Sequence, residues 1–463
     1  MDPINNHDTI AALATGAGPS AIAIVRLSGK DSLSVSDQLF MPISNKNKPS
    51  TWYTHTLGYG HILDGDVVVD EVLLTVMRAP KTYTREDVVE INCHGGTMAA
   101  RRILRLLLRE GVRMAQPGEF TLRAFLNGRI DLAQAEAVNQ LIRSSTETAQ
   151  QMALRQLRGG LSQRIRELDE RLLEIRSGVE GSLDFPDDVD FPASKELDRE
   201  LAQLLEELDR LLTSSHNGRL LAEGVRVVIA GKPNVGKSSL LNRLLEEERA
   251  LVSPEPGTTR DAVDASVEWE GFQLSITDTA GIRDRAESVE QMGIEFARNR
   301  IAEADLVLLV LDRSEPWSLH DRSLAETVMR KSGICVLNKN DLSARLEEKD
   351  LPAHLATWPR TEVSCLTGDG LEGLRNLLTE AIWSGRVPDP VSEILVCEAR
   401  HVEALSQAKN ALQRVQTCRA SNQPLDMVAQ ELREAHEALG KIVGRTAPEE
   451  LLDAIFSRFC VGK

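Results

Sequence analysis

The stretch Gly231-Lys232-Pro233-Asn234-Val235-Gly236-Lys237-Ser238-Ser239 has the spacing G-x-x-x-x-G-K-[ST], which suits a loop that holds a phosphate chain. Its two glycines let backbone N–H groups curl around phosphates. Lys237 adds a point charge toward the outer phosphates, and the Ser238 hydroxyl is a magnesium ligand. A helix that starts here aims its positive end at the same anion. Magnesium needs further oxygens. Thr259, in Gly257-Thr258-Thr259-Arg260-Asp261, offers a hydroxyl, and Asp278 stands at the end of an apolar run in Asp278-Thr279-Ala280-Gly281, where the Gly281 N–H can sense the last phosphate. The base reader is Asn338-Lys339-Asn340-Asp341: the Asp341 carboxylate accepts from guanine N1 and N2, and a buried Asp341 would be left unpaired against adenine. The Lys339 stem can cover the ring. Ser364-Cys365-Leu366-Thr367-Gly368 supplies a small-residue loop beside the base. Together and in this order, these segments imply a domain that binds and hydrolyses GTP.

One expected part is absent. In many GTPases a glutamine directly after the Asp-x-x-Gly glycine orients the attacking water. Ile282 stands there and cannot hydrogen-bond water. Glu290, Glu287 and Asp284 are acidic candidates for that task, although spacing alone reads each as a solvated surface charge.

Elements must position these groups. Val225–Ala230 reads as a short apolar strand before the phosphate loop, and Ala262–Trp269 with Phe272–Thr277 reads as a hairpin around Glu270-Gly271. Leu306–Leu311, Ile334–Leu337 and Glu362–Val363 read as further buried strands between helical segments, which indicates a mostly parallel sheet. Upstream, Ala21–Leu27, Val67–Val76 and Asp87–Asn92 read as strands and Thr97–Glu110 as a basic amphipathic helix, a small α+β domain. Phe125–Ser182 is helical in pattern with a break at Gly159-Gly160. Leu197, Leu201, Leu204, Leu205, Leu208, Leu211 and Leu212 mark one face of another helix, a packing face rather than chemistry. Helical pattern returns after about Ser384. The expected fold is therefore multidomain, α/β and α. An N-terminal α+β domain (1–124) precedes a helical domain (125–222 and 386–463), which is split by an inserted Ras-like P-loop GTPase domain (223–385).

Composition narrows the class. The chain has 463 residues, 42% of them hydrophobic, enough for several cores, and no apolar run long enough to span a bilayer. The N-terminus lacks a basic region followed by an apolar core, so no secretory signal is expected. The six cysteines are scattered without a Cys-x-x-Cys pair, which speaks against a zinc site or disulfide framework and for the reducing cytoplasm. A net charge of −16 means that any RNA contact is local or shared with a partner.

The residues that reach beyond a generic GTPase are Ile24-Val25-Arg26-Leu27-Ser28-Gly29, Asn92-Cys93-His94-Gly95-Gly96, Pro117–Gly128, Asp131–Ala137 and the terminal Phe459-Cys460-Val461-Gly462-Lys463. With the GTPase motifs they resemble the MnmE (TrmE) family of tRNA-modification GTPases over essentially the whole length. The resemblance implies a homodimer working with an MnmG (GidA) type flavoprotein, which carries FAD, in a heterotetramer or larger complex. Together they add a carboxymethylaminomethyl or aminomethyl group to C5 of the tRNA wobble uridine. It implies a reduced folate (5,10-methylene- or 5-formyl-tetrahydrofolate) in a folate-binding-like N-terminal domain, at Arg26, Glu90, Arg129 and Lys463. The family usually has Lys where Arg129 stands, so the charge is kept but not its geometry. The resemblance also implies potassium-stimulated hydrolysis when two GTPase domains meet, with Asn234, Ser253, Glu255 and Thr258 as potassium ligands. Thr279, Ala280 and the loop Ser253-Pro254-Glu255-Pro256-Gly257-Thr258-Thr259 join the GTP-binding set. Glu290 takes the place of the family's catalytic glutamate, and Cys460 a place in the modification chemistry.

A ribosome-assembly GTPase shares the phosphate loop, Asn234 included, but leaves the N-terminal domain and the Cys-x-Gly-Lys end unexplained. A nucleotide-gated scaffold with moving helical arms is a third reading. Glu290→Ala is expected to slow GTP turnover about 10²-fold with nucleotide affinity nearly intact. Single-turnover hydrolysis beside equilibrium nucleotide binding checks this, and unchanged turnover removes Glu290 from the mechanism.

Overall fold

The computed structural model describes residues 8–16, 18–43, 47–185, 194–247, 264–278, 298–383 and 393–463. The chain divides into two compact units. One comprises Met1–Asn139, Leu157–Ser177 and Leu432–Lys463; the other comprises Gln140–Gln156 and Gly178–Glu431.

The elements run in chain order as β1 (Ile10–Leu13), β2 (Ile22–Ser28), α1 (Ser32–Leu39), β3 (Phe40–Pro42), β4 (Thr56–Asp64), β5 (Val67–Met77), β6 (Val88–His94), α2 (Thr97–Arg109), β7 (Arg113–Met114) and α3 (Glu119–Leu126). Next come the helices α4 (Leu132–Arg143), α5 (Glu147–Leu157), α6 (Gly160–Asp184) and α7 (Ser194–Glu223). After them stand β8 (Val225–Ala230), α8 (Lys237–Glu247), β9 (Asp264–Trp269), β10 (Phe272–Asp278), β11 (Leu306–Asp312), α9 (Leu319–Val328), β12 (Gly333–Asn338), α10 (Ala353–Ala356), β13 (Arg360–Glu362) and α11 (Leu371–Trp383). Helices α12 (Ala399–Ala420), α13 (Leu425–Val443) and α14 (Glu449–Phe456) end the chain.

In the first unit a seven-stranded sheet has the order β3-β4-β5-β6-β2-β1-β7. Inward residues of β2, β5 and β6 (Val25, Leu27, Leu74, Val76, Val89, Ile91) share a core with α1 and with Ile103, Leu106 and Leu107 of α2. The opposite face leaves Ile22, Leu57, Tyr59 and Leu73 exposed. Arg26 and Glu90, register partners across β2 and β6, fall out of phase with the inward residues and so also belong to that face. Strand β4 contains Gly58 and Gly60, which look unsuited to a strand. A Cβ at Gly58 would come within 2.0 Å of the Trp52 ring, and one at Gly60 within 2.5 Å of the Phe40 ring, so two aromatics occupy the space those side chains would need. Helix α3 is anchored by fully buried Arg123, which binds Asp8, Glu86 and Glu119. Burial works to raise the Asp8 carboxyl, but hydrogen bonds and charge from Arg113 and Arg123 outweigh it and hold it below its ordinary value.

In the second unit a six-stranded sheet has the order β13-β12-β11-β8-β10-β9, parallel except for the edge strand β9, which pairs antiparallel with β10. Both faces are buried, and period-two alternation divides them. Val227, Ile229, Leu306, Leu308, Val310, Ile334 and Val336 enter one core, and Val228, Ala230, Val307, Leu309, Leu311 and Cys335 the other. The hairpin turn falls at Glu270 and Gly271, both with positive φ (46° and 89°), the backbone that a two-residue turn between twisted strands demands. The long helices α7 and α12 pack side by side in this unit.

Most expected elements appear within a few residues of their sequence limits. The break at Gly159-Gly160 lies between α5 and α6, with Gly159 at φ 88°. The last sheet strand begins at Arg360, two residues before the expected Glu362. Leu308→Ala, in the central strand β11, is expected to remove about 2–5 kcal/mol through a cavity that the flanking strands cannot close. A lower urea midpoint for release of a fluorescent guanine nucleotide checks it.

Candidate guanine-nucleotide and N-terminal sites

Strand β8 ends at Ala230, and the loop then turns through two left-handed residues, Asn234 (φ 63°) and Gly236 (φ 100°), before α8 begins at Lys237. The Asn234, Ser238 and Ser239 side chains are exposed at the mouth of this turn, while Val235 is buried beneath it. Lys237 is buried and its Nζ donates to the Lys232 carbonyl at 2.9 Å, which curls the loop about its own lysine. Lys232 in turn pairs with Glu315 at 2.8 Å and Asp321 at 3.4 Å, beside the capping box that starts α9. A Cβ at Gly231 would meet the Val310 carbonyl at 2.5 Å, and one at Gly236 the Asn338 amide at 2.1 Å. The loop therefore sits against the sheet too closely for a side chain at either glycine.

The base-reading segment leaves β12 at Asn338. Its side chain points inward: Nδ2 donates to the Val235 carbonyl at 2.7 Å, and Oδ1 accepts from the Cys365 N–H at 3.2 Å. One buried amide thus links the phosphate loop to the Ser364-Cys365 loop. Lys339 turns to φ 66°, and its Nζ lies 2.5 Å from Asp312 Oδ2 at the end of β11. Burial acts to raise the Asp312 carboxyl, but hydrogen bonds from Lys339 and from Ser314 outweigh it and lower its pKa. Asp341 lies exposed rather than buried, and its Oδ1 accepts from Ser364 Oγ at 2.6 Å, which aims the carboxylate. The Asn340 amide oxygen accepts from Arg313, and Arg243 of α8 holds the carbonyls of Cys365 and Leu366. The backbone of Asp278 ends β10 opposite Ile229 of β8, beside the start of the loop. Ser253, Pro254, Glu255, Pro256, Gly257, Thr258, Thr259, Thr279, Ala280, Gly281, Ile282 and Glu290 lie outside the described residues.

The first unit gathers its own set. Arg26 Nε binds Glu90 at 2.8 Å, and its Nη1 donates to the Gly462 carbonyl at 3.3 Å. The Arg26 guanidinium stands 5.8 Å from the Tyr83 ring and 5.7 Å from the Phe120 ring, and that of Arg129 stands 4.6 Å from Tyr83. Burial raises the Tyr83 phenol above its ordinary 10.0 despite its hydrogen bond with Thr121 and the two nearby cations. The C-terminal segment returns to this place: Val461 bridges Pro117, Gly462 fits where a Cβ would strike the Leu13 carbonyl at 2.4 Å, and Lys463 follows, half-buried. Cys460 is exposed, and its carbonyl accepts from the Gly118 and Lys463 N–H groups. Arg26, Glu90, Arg129 and the C-terminus, far apart in sequence, therefore converge.

Sequence reasoning missed Asp312, Arg313 and Arg243, which hold the base-reading loops, and Tyr83 and Phe120, which line the arginine site. Asp312 had a legible signal, a carboxylate ending an apolar strand before a lysine-bearing loop. Tyr83, in a segment without periodicity, had none.

A phosphate loop at the end of β8, a guanine-type Asn-Lys-x-Asp segment at the end of β12 and a mostly parallel sheet between two cores define a P-loop GTPase. A family model described as the MnmE helical domain matches residues 132–460, and one described as the GTP-binding protein TrmE N-terminus matches residues 9–129. The tRNA modification GTPase MnmE of Lactiplantibacillus plantarum is 45% identical, covering 100% of both chains. That of Moorella thermoacetica is 46% identical over 98% of this chain and 99% of its own. The chain belongs to the MnmE family of tRNA modification GTPases. Among solved structures, the G domain of the T. maritima FeoB iron transporter aligns with 34% of this chain and 98% of its own at 27% identity, with a TM-score of 0.27.

Asp312→Asn is expected to free Lys339 and weaken guanine-nucleotide binding about 10-fold, near 1.4 kcal/mol, with little change in the rate of the bound nucleotide's hydrolysis. Because the folded-state pKa of Asp312 is depressed, the difference from the unsubstituted protein is present above its ordinary 3.8 and fades as pH falls through the lower folded value. Nucleotide titration against pH checks both.

Proposed function

We propose that this chain hydrolyses GTP to drive modification of tRNA. It acts as a homodimer in the cytoplasm with an MnmG (GidA) type flavoprotein that carries FAD. The product is a carboxymethylaminomethyl or aminomethyl group at C5 of the wobble uridine. The observation that carries this reading is the presence, in one chain, of a guanine-nucleotide site and an arginine–aromatic site that the chain's own Cys-x-Gly-Lys end closes. A generic GTPase has no use for the second.

In the nucleotide site, Lys237 and the loop N–H groups bind the phosphates, and Asp341, held by Ser364, selects guanine over adenine. The exposed Ser238 hydroxyl at the start of α8 suits a magnesium ion, with Thr259 as the second protein ligand. Asn234, held with its side chain exposed by a left-handed backbone, suits a potassium ion with Ser253, Glu255 and Thr258. When bound, the two cations neutralise charge that develops on the transferring phosphoryl group. Glu290 orients or deprotonates the attacking water, the role that Ile282 cannot fill.

The N-terminal set suits a reduced folate. Tyr83 offers an aromatic surface to a planar heterocycle, with the fully buried Phe120 backing Arg26 from the core, and Arg26, Arg129 and Lys463 offer charge to the glutamate carboxylates, with Glu90 holding Arg26 in place. Cys460 stands exposed beside this set, where a thiol can join the modification chemistry. The arrangement we propose is a folate-binding-like N-terminal domain (1–124) and a helical domain (125–222 and 386–463) split by the inserted GTPase domain (223–385).

Mass spectrometry of tRNA nucleosides from cells lacking this protein is expected to show loss of the C5-modified wobble uridine. Unaltered nucleosides together with accumulated ribosomal precursors would sink the proposal in favour of ribosome assembly.

A further inference from the structure

Helix α2, Thr-Met-Ala-Ala-Arg-Arg-Ile-Leu-Arg-Leu-Leu-Leu-Arg, carries four arginines and no acidic residue in a chain whose net charge is −16. Ala100, Ile103, Leu106 and Leu107 bury against the first unit's sheet. At 100° per residue, Arg101, Arg102, Arg105 and Arg109 share one arc of about 100° on the opposite side, all exposed. Part of this charge has an internal use. Arg102 and Arg109 reach Asp64 at 3.6 and 3.5 Å, and Arg109 also suits the negative end of the helix. Arg101 and Arg105, one turn apart on the stripe, have no acidic partner among the described residues. The i,i+4 pairs Arg101–Arg105 and Arg105–Arg109 repel, so the stripe weakens the helix it stands on. An anionic ligand would relieve that repulsion.

We infer that the arginine face of α2 is an RNA-backbone contact, at which Arg101 and Arg105 bind phosphates of the tRNA substrate. The inference rests on the tRNA reading above and gives that substrate a surface. Successive arginines four residues apart rise about 6 Å along the axis, a step that suits consecutive phosphates of one strand. Guanidinium pairs with phosphate in a two-pronged fashion that lysine cannot match. An anionic membrane fits less well, because most of the apolar side chains such binding would bury are already spent on the sheet core, leaving Met98 and Leu108 exposed. The face lies across the sheet from Arg26: Val25, its neighbour on β2, shares the α2 core, so Arg26 points away from it. The surface is thus distinct from the arginine–aromatic site. In a protein this acidic, the basic stripe of α2 would fix where the RNA lies by contrast with the acidic surface around it.

The test is tRNA binding by the full-length chain, read by fluorescence anisotropy over a series of salt concentrations. R101E/R105E is compared with the milder R101Q/R105Q and with R199E/R330E, a charge reversal of the same size at exposed positions in the other unit. The expected result is at least 10-fold weaker binding for R101E/R105E, a smaller loss for the Gln pair, and a fall of about 2 in the slope of log affinity against log salt. Basal GTP hydrolysis should be unchanged, and an unchanged thermal melt of the full-length chain shows that the unit carrying α2 is folded. Equal losses in R101E/R105E and R199E/R330E would reduce the effect to net charge and overturn the inference. Unchanged tRNA affinity would overturn it while leaving the tRNA reading intact, as would a loss confined to phosphatidylserine vesicles. If the unsubstituted chain binds no tRNA at low salt, direct contact by this protein fails and the inference goes with it. The nucleoside measurement then still judges the modification reading separately.

Discussion

The nucleotide site depends on one buried amide. Asn338 donates to the carbonyl of Val235 in the phosphate loop and accepts from the N–H of Cys365 in the loop beside the base. It does so at a spot so tight that the neighbouring loop residue must be Gly236. Three segments that carry the nucleotide motifs are thereby fixed to one another through one buried side chain. The parallel sheet makes this possible. β8 and β12, separated by β11, end at the same edge, so the loops leaving them emerge side by side. Removing such a buried amide would leave a carbonyl and an N–H unpaired, which costs more than the bonds themselves stabilise.

Around this clamp the charged residues act at second hand. Asp312 holds Lys339, Ser364 aims Asp341, Arg243 fixes the Cys365 and Leu366 carbonyls, and Glu315 and Asp321 hold Lys232. Each motif side chain is oriented beforehand, and such preorganisation lowers the entropy lost on binding a ligand. The arginine–aromatic site follows the same logic, with Glu90 and the Gly462 carbonyl orienting Arg26. Its closing segment is the end of the chain, so this site is complete only when the C-terminus has packed back onto β1 and the loop before α3.

Legibility in the sequence followed local physics. The buried strands of the second unit were plain because both of their faces are apolar, and the hairpin was plain because Glu270-Gly271 can take the required backbone. Strand β4 was not: Gly58 and Gly60 argue against a strand until Trp52 and Phe40 are seen filling their places. Strands β1, β3 and β7 and helix α1 gave too few residues for a period to show. The phosphate and base motifs were complete as strings. The residues that hold them, Asp312, Arg313 and Arg243, become meaningful only through partners 27 to more than 100 residues away.

What the sequence determined by itself, then, is chemistry carried by short range: the phosphate-loop motif, the Asn-Lys-Asn-Asp segment that ends in Asp341, Ile282 after the Asp-x-x-Gly glycine, and the basic stripe of α2. Each is set by residues within one turn or one helix, where spacing alone fixes which groups share a side. Tertiary structure decided what crosses between elements. It put Asn338 under the phosphate loop instead of at the base, left Asp341 exposed but aimed, joined Arg26, Tyr83, Phe120 and Arg129 into one cation–aromatic cluster, and brought the Cys-x-Gly-Lys end to it. No periodicity encodes such meetings, because they follow from strand order and from the packing of side chains that are neighbours only after the chain has folded.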